Sequence, residues 1–306
     1  AQIRESMVTA PEKRLIICVA NMVPVKGVEL LIQAFQELAK TQIDWDLWLG
    51  PAKERPYHPA YHPWNWRGWW DFGTGALGDM ACHIMDPVFR CLPILYPSDV
   101  ECSVASIWKG MWDDTANTDS CPPSTIIHLT YPRTDGKKGD IKVSWYDGGL
   151  LPQRPDELLP EEAFGNWDGG VLFIGTKGKL LADCYGAKPR LLPTKLMKDV
   201  KMPKQTIQRV PEGHYLQWVN ACIAGYGNGK TRSPFEFAGP FTESILIGNL
   251  AIRSWMMKNP NLKGWNDKYL GRKKLIWDAK NMQITNFDPA NQFVKRDYRD
   301  GWKLEL

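Results

Sequence analysis

Five short segments with strand composition, broken by Gly, Pro and Asp, fill the middle of the chain and rule out an all-helical fold. They lie at residues 100–107, 125–130, 141–146, 171–175 and 179–184. β-Branched and aromatic side chains suit a pleated, half-buried surface, and the turn residues between them stop a helix. Gly175-Thr176-Lys177-Gly178 separates the last two segments by a hairpin-sized turn. Two later segments, 214–224 and 241–257, carry helical periodicity, with Gly225–Gly229 and Pro260 as stops beyond their ends. Strands and helices kept apart in this way predict an α+β fold. Its expected form is a large, mostly antiparallel sheet with helices on one face.

The start of the chain has a different character. Residues 15–20, LIICVA, are a continuous apolar run with the length of a buried strand. A loop, NMVPVKG, leads to apolar residues at 28, 31, 32, 35 and 38, the spacing of an amphipathic helix. Residues 45–49 are expected as a second strand. Residues 1–43 are therefore set apart as a short βαβ-like segment, and residues 44–306 as the main domain. One such unit cannot bury its own sheet, so no complete dinucleotide-binding domain is expected.

The run 64–86, WNWRGWWDFGTGALGDMACHIMD, concentrates the chemistry. Asp79, His83 and Asp86 recur four and three residues apart and share one helical face. Pro87 would deprive the His83 carbonyl of its donor, which predicts a bend there. A carboxylate one turn before an imidazole can orient the ring for general acid/base work, or can satisfy a buried histidine. Gly73-Thr74-Gly75-Ala76-Leu77-Gly78 matches G-x-G-x-x-G literally, but no buried strand precedes it, so a dinucleotide fingerprint is rejected. The glycines are expected to turn the backbone tightly into the helix. Trp66, Trp69 and Trp70 either stack on a sugar ring or pack helix against sheet. Arg67 either holds an anionic ligand group or pairs with Asp71, and its position favours the pair. His58 and His62 stand at a metal-ligand spacing that needs a helix, which Pro56, Pro59 and Pro63 prevent, so no metal is expected. His128, in an apolar strand, reads as a core histidine. His214 opens a helix and reads as a cap or surface residue.

Composition narrows the partners. A net charge of +4 on 306 residues, with no dominant basic block, gives no reason to expect nucleic acid. No apolar run approaches the ~20 residues of a spanning helix, so no membrane partner is expected. No signal peptide stands at the start, which opens on Ala1, and both cytoplasm and periplasm stay open. Seven dispersed cysteines without a C-x-x-C pair predict mostly reduced, buried thiols. Residues 153–168, rich in Pro and acids, are expected as a lid or oligomer arm.

Two resemblances follow from these motifs. Residues 14–50, with Val25-Lys26-Gly27 between strand and helix, resemble the opening of the nucleotide-sugar-binding half of GT-B glycosyltransferases. That likeness implies a diphosphate contact for Lys26, with Asn21 where the family has Arg. Residues 44–306 resemble the C-terminal substrate domain of the Gfo/Idh/MocA oxidoreductases. The likeness runs through the 64–86 run, Trp145-Tyr146-Asp147-Gly148-Gly149, GVLFIGTKGK at 170–179, residues 183–193, 212–218 and 233–253, 277–286, and the 291–302 tail.

The second resemblance implies a sugar or polyol substrate and NAD or NADP as cofactor. It implies His83 as the acid/base, and Asp79 as its support and a ligand to sugar hydroxyls. It adds His214 to Trp66, Arg67, Trp69, Trp70 and Asp71 as substrate-binding candidates, and a homo-oligomer built through the sheet face. A full member also carries a Rossmann domain and a Glu-Lys-Pro motif, and neither is found in the sequence. The expected function is therefore the substrate domain of a sugar or polyol oxidoreductase. The alternatives are a cofactor-free carbohydrate-binding or scaffolding protein, and a non-redox lyase or hydrolase using His83 and Asp79.

Overall fold

The computed structural model describes residues 44–111, 113–115, 118–261 and 268–302. The expected βαβ-like segment of residues 1–43, including Lys26, lies outside the described residues. The chain enters through a short helix, α1 (Trp45–Leu49), which replaces the strand expected there. The alternation Trp45, Leu47, Leu49 mimics a strand. However, Asp44 caps a helical turn by accepting from the Leu47 N–H at 3.1 Å, and Trp45 and Trp48, three apart, stack at 4.8 Å. Next come α2 (Gly75–Ile84) and α3 (Asp86–Cys91), broken at Met85. The break falls where Pro87 predicts it, with the proline in the first turn of α3.

The main sheet has five strands in the order β10-β9-β1-β4-β5, every pair antiparallel. The strands are β1 (Asp99–Val104), β4 (Thr125–Tyr131), β5 (Ile141–Tyr146), β9 (Leu275–Asp278) and β10 (Gln283–Ile284). A two-stranded ribbon, β2 (Ile107–Gly110) with β3 (Asp113–Thr115), leaves the end of β1. The fold is α+β, as the strand and helix patterns predict.

Alternation decides the faces. Val100, Cys102, Ile127, Leu129, Tyr131 and Trp145 point into the core, while Glu101, Ser103, His128, Lys142 and Ser144 point out. His128 is thus not a core histidine. It lies exposed on the outer face, 2.8 Å from the Ser144 hydroxyl. On the inner face lies the long helix α5 (Phe235–Trp255), packed on β1 and crossed by α2. It starts six residues earlier than the periodicity suggests because Pro240 is tolerated inside it. Its second half is buried almost all round, through Ile245, Ile247, Leu250, Ala251 and Ile252. Gly248 allows the crossing with α2, since a Cβ there would meet Leu77 Cδ2 at 2.4 Å.

The segments 171–175 and 179–184 do not join the main sheet. As β6 (Gly170–Gly175) and β7 (Gly178–Asp183), with β8 (Arg190–Leu192), they form a separate three-stranded sheet. Gly175 pairs with Gly178 across the expected two-residue turn. The excursion 153–168 is held against this sheet: Leu158 is buried on Leu181 and Leu192, and Glu157 accepts from Lys179 at 2.6 Å. Helix α4 (His214–Ala224) buries none of its residues. At the chain's two described ends, Arg299 donates to the Gly50 carbonyl at 2.7 Å and pairs with Asp46, and its own N–H reaches the Pro51 carbonyl. Cys82, Cys91 and Cys222 are exposed rather than buried, all three on helices.

Candidate functional site

Helix α2 carries Asp79 and His83 one turn apart, as their spacing predicts. They do not hydrogen-bond each other. Asp79 Oδ1 accepts from Arg67 Nε at 3.1 Å, and Asp86 is taken by Arg90 at 2.8 Å. Both carboxylates on the imidazole's helical face therefore already serve guanidinium groups. A 3-10 turn, Asn65–Gly68, delivers Arg67. The guanidinium carbon lies 4.0 Å from the Trp64 ring centre and 4.5 Å from that of Trp66, so Arg67 sits on two indoles while holding Asp79. The Arg67–Asp71 pair expected from position is not formed, because Asp71 pairs with Arg55 instead.

His83 is exposed, and its ring meets Tyr185 edge-on at 5.2 Å. Sequence reasoning did not single out Tyr185. It stands on the turn after β7, with φ of 63° and 61% of its surface exposed. The signal was the Cys-Tyr-Gly turn closing a strand, a place where a side chain is held outward. Next to His83, burial first and then the Asp79 charge push the Cys82 thiol up, which keeps it protonated.

The other candidates separate. Trp69 donates to the Ala60 carbonyl at 3.1 Å and packs edge-on to Tyr61 at 4.8 Å. Trp70 packs against the core, with Arg253 above its ring. These two indoles hold structure, while Trp64 and Trp66 flank Arg67. His214 is exposed and lies against Tyr215 at 4.1 Å, away from the Arg67–Asp79 pair in sequence and on a different helix. His58 accepts from the Ala60 N–H, and His62 meets Trp48 edge-on, with burial pushing its imidazole down. Among the described residues no three His, Cys, Asp or Glu side chains group as a metal site.

Residues 31–113 match the family model described as the oxidoreductase family, C-terminal alpha/beta domain, of the Gfo/Idh/MocA proteins. Over that span the chain is similar to a Gfo/Idh/MocA C-terminal domain. The matched span holds the 3-10 turn, α2 and α3, and so the whole Arg67–Asp79–His83 arrangement. A comparison with curated proteins finds no match.

The Gfo/Idh/MocA family generally uses NAD(P), which makes the glycine run a test of fit. A Cβ on Gly73 would strike the Arg67 backbone at 2.4 Å, one on Gly75 the Cys121 sulfur at 2.8 Å, and one on Gly78 the Thr74 hydroxyl at 1.9 Å. The space these glycines open is filled by the domain's own chain. They let α2 start against its neighbours and do not build a diphosphate cradle.

Proposed function

We propose that this domain is the sugar- or polyol-binding part of a Gfo/Idh/MocA oxidoreductase, with His83 as the proton carrier at the substrate hydroxyl. The observation that carries the reading is the row Arg67, Asp79, His83 on one open face, with Trp64 and Trp66 beside it. A guanidinium and a carboxylate side by side offer a donor and an acceptor at the spacing of neighbouring hydroxyls. Indole faces suit the apolar side of a sugar ring. An exposed imidazole one turn further is placed to take a hydroxyl proton and to return it in the reverse direction. The hydride acceptor implied by the family is NAD(P). The glycine run builds no cradle for it, so only binding and the proton are assigned to this domain.

Calorimetric titration with monosaccharides and inositols tests the reading. Saturable heat that weakens in Arg67→Ala supports it, and silence across the panel removes it. A second reading, a carbohydrate-binding module without chemistry, is favoured by the engagement of Asp79 with Arg67 rather than with His83. Sugar binding by the wild type, with no turnover when NAD(P) and a dinucleotide-binding domain are supplied, selects that reading. We also propose that the outer sheet face pairs two copies. Glu101 and Lys142 lie on that face, and a two-fold axis can set opposite charges against each other. Light scattering that reports a monomer at every concentration would exclude this pairing.

A further inference from the structure

A second concave site lies away from His83, on the side of α5 that faces the 277–294 segment. It is a cavity of about 610 Å³, walled by Trp70, Leu246, Leu250, Trp277 and Phe293. That volume is within the range of small-molecule pockets, about 300–1,000 Å³. Thr74, which also lines it, precedes α2, so His83 stands nine residues further along the chain.

Two polar side chains in this cavity lack partners. Asn249 is 6% exposed, and neither its Nδ2 nor its Oδ1 has a hydrogen-bond partner among the described residues. Buried amides are normally satisfied, so an orphaned one in the wall of a cavity marks a place where a ligand or water belongs. One turn later, Arg253 rests on Phe293 at 4.3 Å and on Trp70 at 5.7 Å, and it makes no hydrogen bond or ion pair among the described residues. Burial pushes its guanidinium down, opposed by the nearby Asp71 carboxylate. That carboxylate is already bonded to Arg55, and Arg296 donates to the Asp71 carbonyl. Three guanidiniums thus gather at this end, and only Arg55 is bonded to the carboxylate. The acidic group in the wall, Glu243, lies six residues before Asn249, about 9 Å along the helix, and accepts from the Trp277 indole at 2.8 Å.

We propose that this cavity binds an organic monocarboxylate with an apolar body, its carboxylate held by Arg253 and Asn249 and its body among the indole and leucine walls. Arg253 offers a planar fork to the carboxylate, and Asn249 Nδ2 adds a third donor. Asn249 Oδ1 accepts from a water that enters with the head group.

The probes are dodecanoate and 1-dodecanol, titrated into the full chain below their aggregation limits. Dodecanoate should bind at least about tenfold tighter than the alcohol, the difference expected of charge-assisted hydrogen bonds. Arg253→Met should reduce the acid to the alcohol's affinity, and Asn249→Leu should weaken the acid while strengthening the alcohol. Where Arg253→Met does not fold, Leu246→Trp serves instead, filling the wall and abolishing binding of both probes. The proposal is overturned if the wild type binds neither probe or binds both equally. It is also overturned if acid binding survives both Asn249→Leu and Leu246→Trp. Sugar titration in the presence of dodecanoate should be unchanged, which keeps this site separate from the Arg67–Asp79–His83 face.

Discussion

Arg67 Nε lies 3.1 Å from Asp79 Oδ1, and that contact takes the carboxylate away from the imidazole one turn later on the same helix. Asp79 is therefore tied to the loop before α2, not to His83. Its position is set by a guanidinium that is itself pinned on Trp64 and Trp66.

The pair is solvent-facing, with side chains 26% and 44% exposed, so it contributes little to stability, about 0–1 kcal/mol. Arg67→Ala should shift the melting temperature only slightly yet lower sugar affinity about tenfold, the loss of one or two charge-assisted hydrogen bonds. Thermal melts beside calorimetric titration check both halves. A large stability loss with unchanged affinity would make the pair purely structural.

His83→Ala should reduce the rate by about 10²–10⁴-fold with sugar affinity held, as expected when a general acid/base is removed. The measurement is turnover of a bound sugar or polyol with NAD(P) and a dinucleotide-binding domain supplied. His83→Gln should fail in the same way, because it keeps size and hydrogen bonding but carries no titrating nitrogen.

Asp114, 6% exposed, is bonded by Lys268 and Tyr269. Burial works against its charge, but these two partners outweigh burial and hold the carboxyl below its usual range. Its contribution is present above an unfolded pKa near 4 and is lost as pH falls through the lower folded value. On the alkaline side, burial and the Asp114 contact push Tyr269 up to about 12. The unfolded chain ionises near 10, so stability falls as pH rises from about 10 toward about 12. Thermal melts across pH should show Asp114→Asn flattening the acid arm and Tyr269→Phe the alkaline one.

Gly248→Val should destabilise by about 1–3 kcal/mol, the usual cost of overpacking a filled core. Its side chain has nowhere to go at the α2–α5 crossing, where Leu77 Cδ2 already occupies the space. Denaturant unfolding measures the loss. Combining it with Leu77→Ala should recover part of it, since the two residues share that space.

The strands and the two late helices were legible because period-two alternation and turn residues act locally. Residues 141–146 and the Gly175–Gly178 turn stand where composition placed them. Assignment to sheets was not legible: β6 and β7 have good strand composition, but only long-range packing separates them from the main sheet. At α1 a strand-like alternation yielded to an Asp44 cap and a stacked Trp45–Trp48 pair. In the site, helical spacing put Asp79 and His83 on one face. The partner of Asp79 was not readable, since Arg67 is 12 residues away and reaches it through a turn. The Trp145-Tyr146-Asp147 motif has a structural role that its letters did not reveal. Asp147 accepts from the Trp145 indole at 2.8 Å and the Thr125 hydroxyl at 2.6 Å, closing the ends of β4 and β5.

The Arg299 clamp has a mechanical consequence. By gripping Asp46, Gly50 and Pro51 together, it brings residue 44 and residue 302 out at one corner of the domain. One side chain thus staples the two described ends to each other, and cutting that staple by Arg299→Ala loosens both at once.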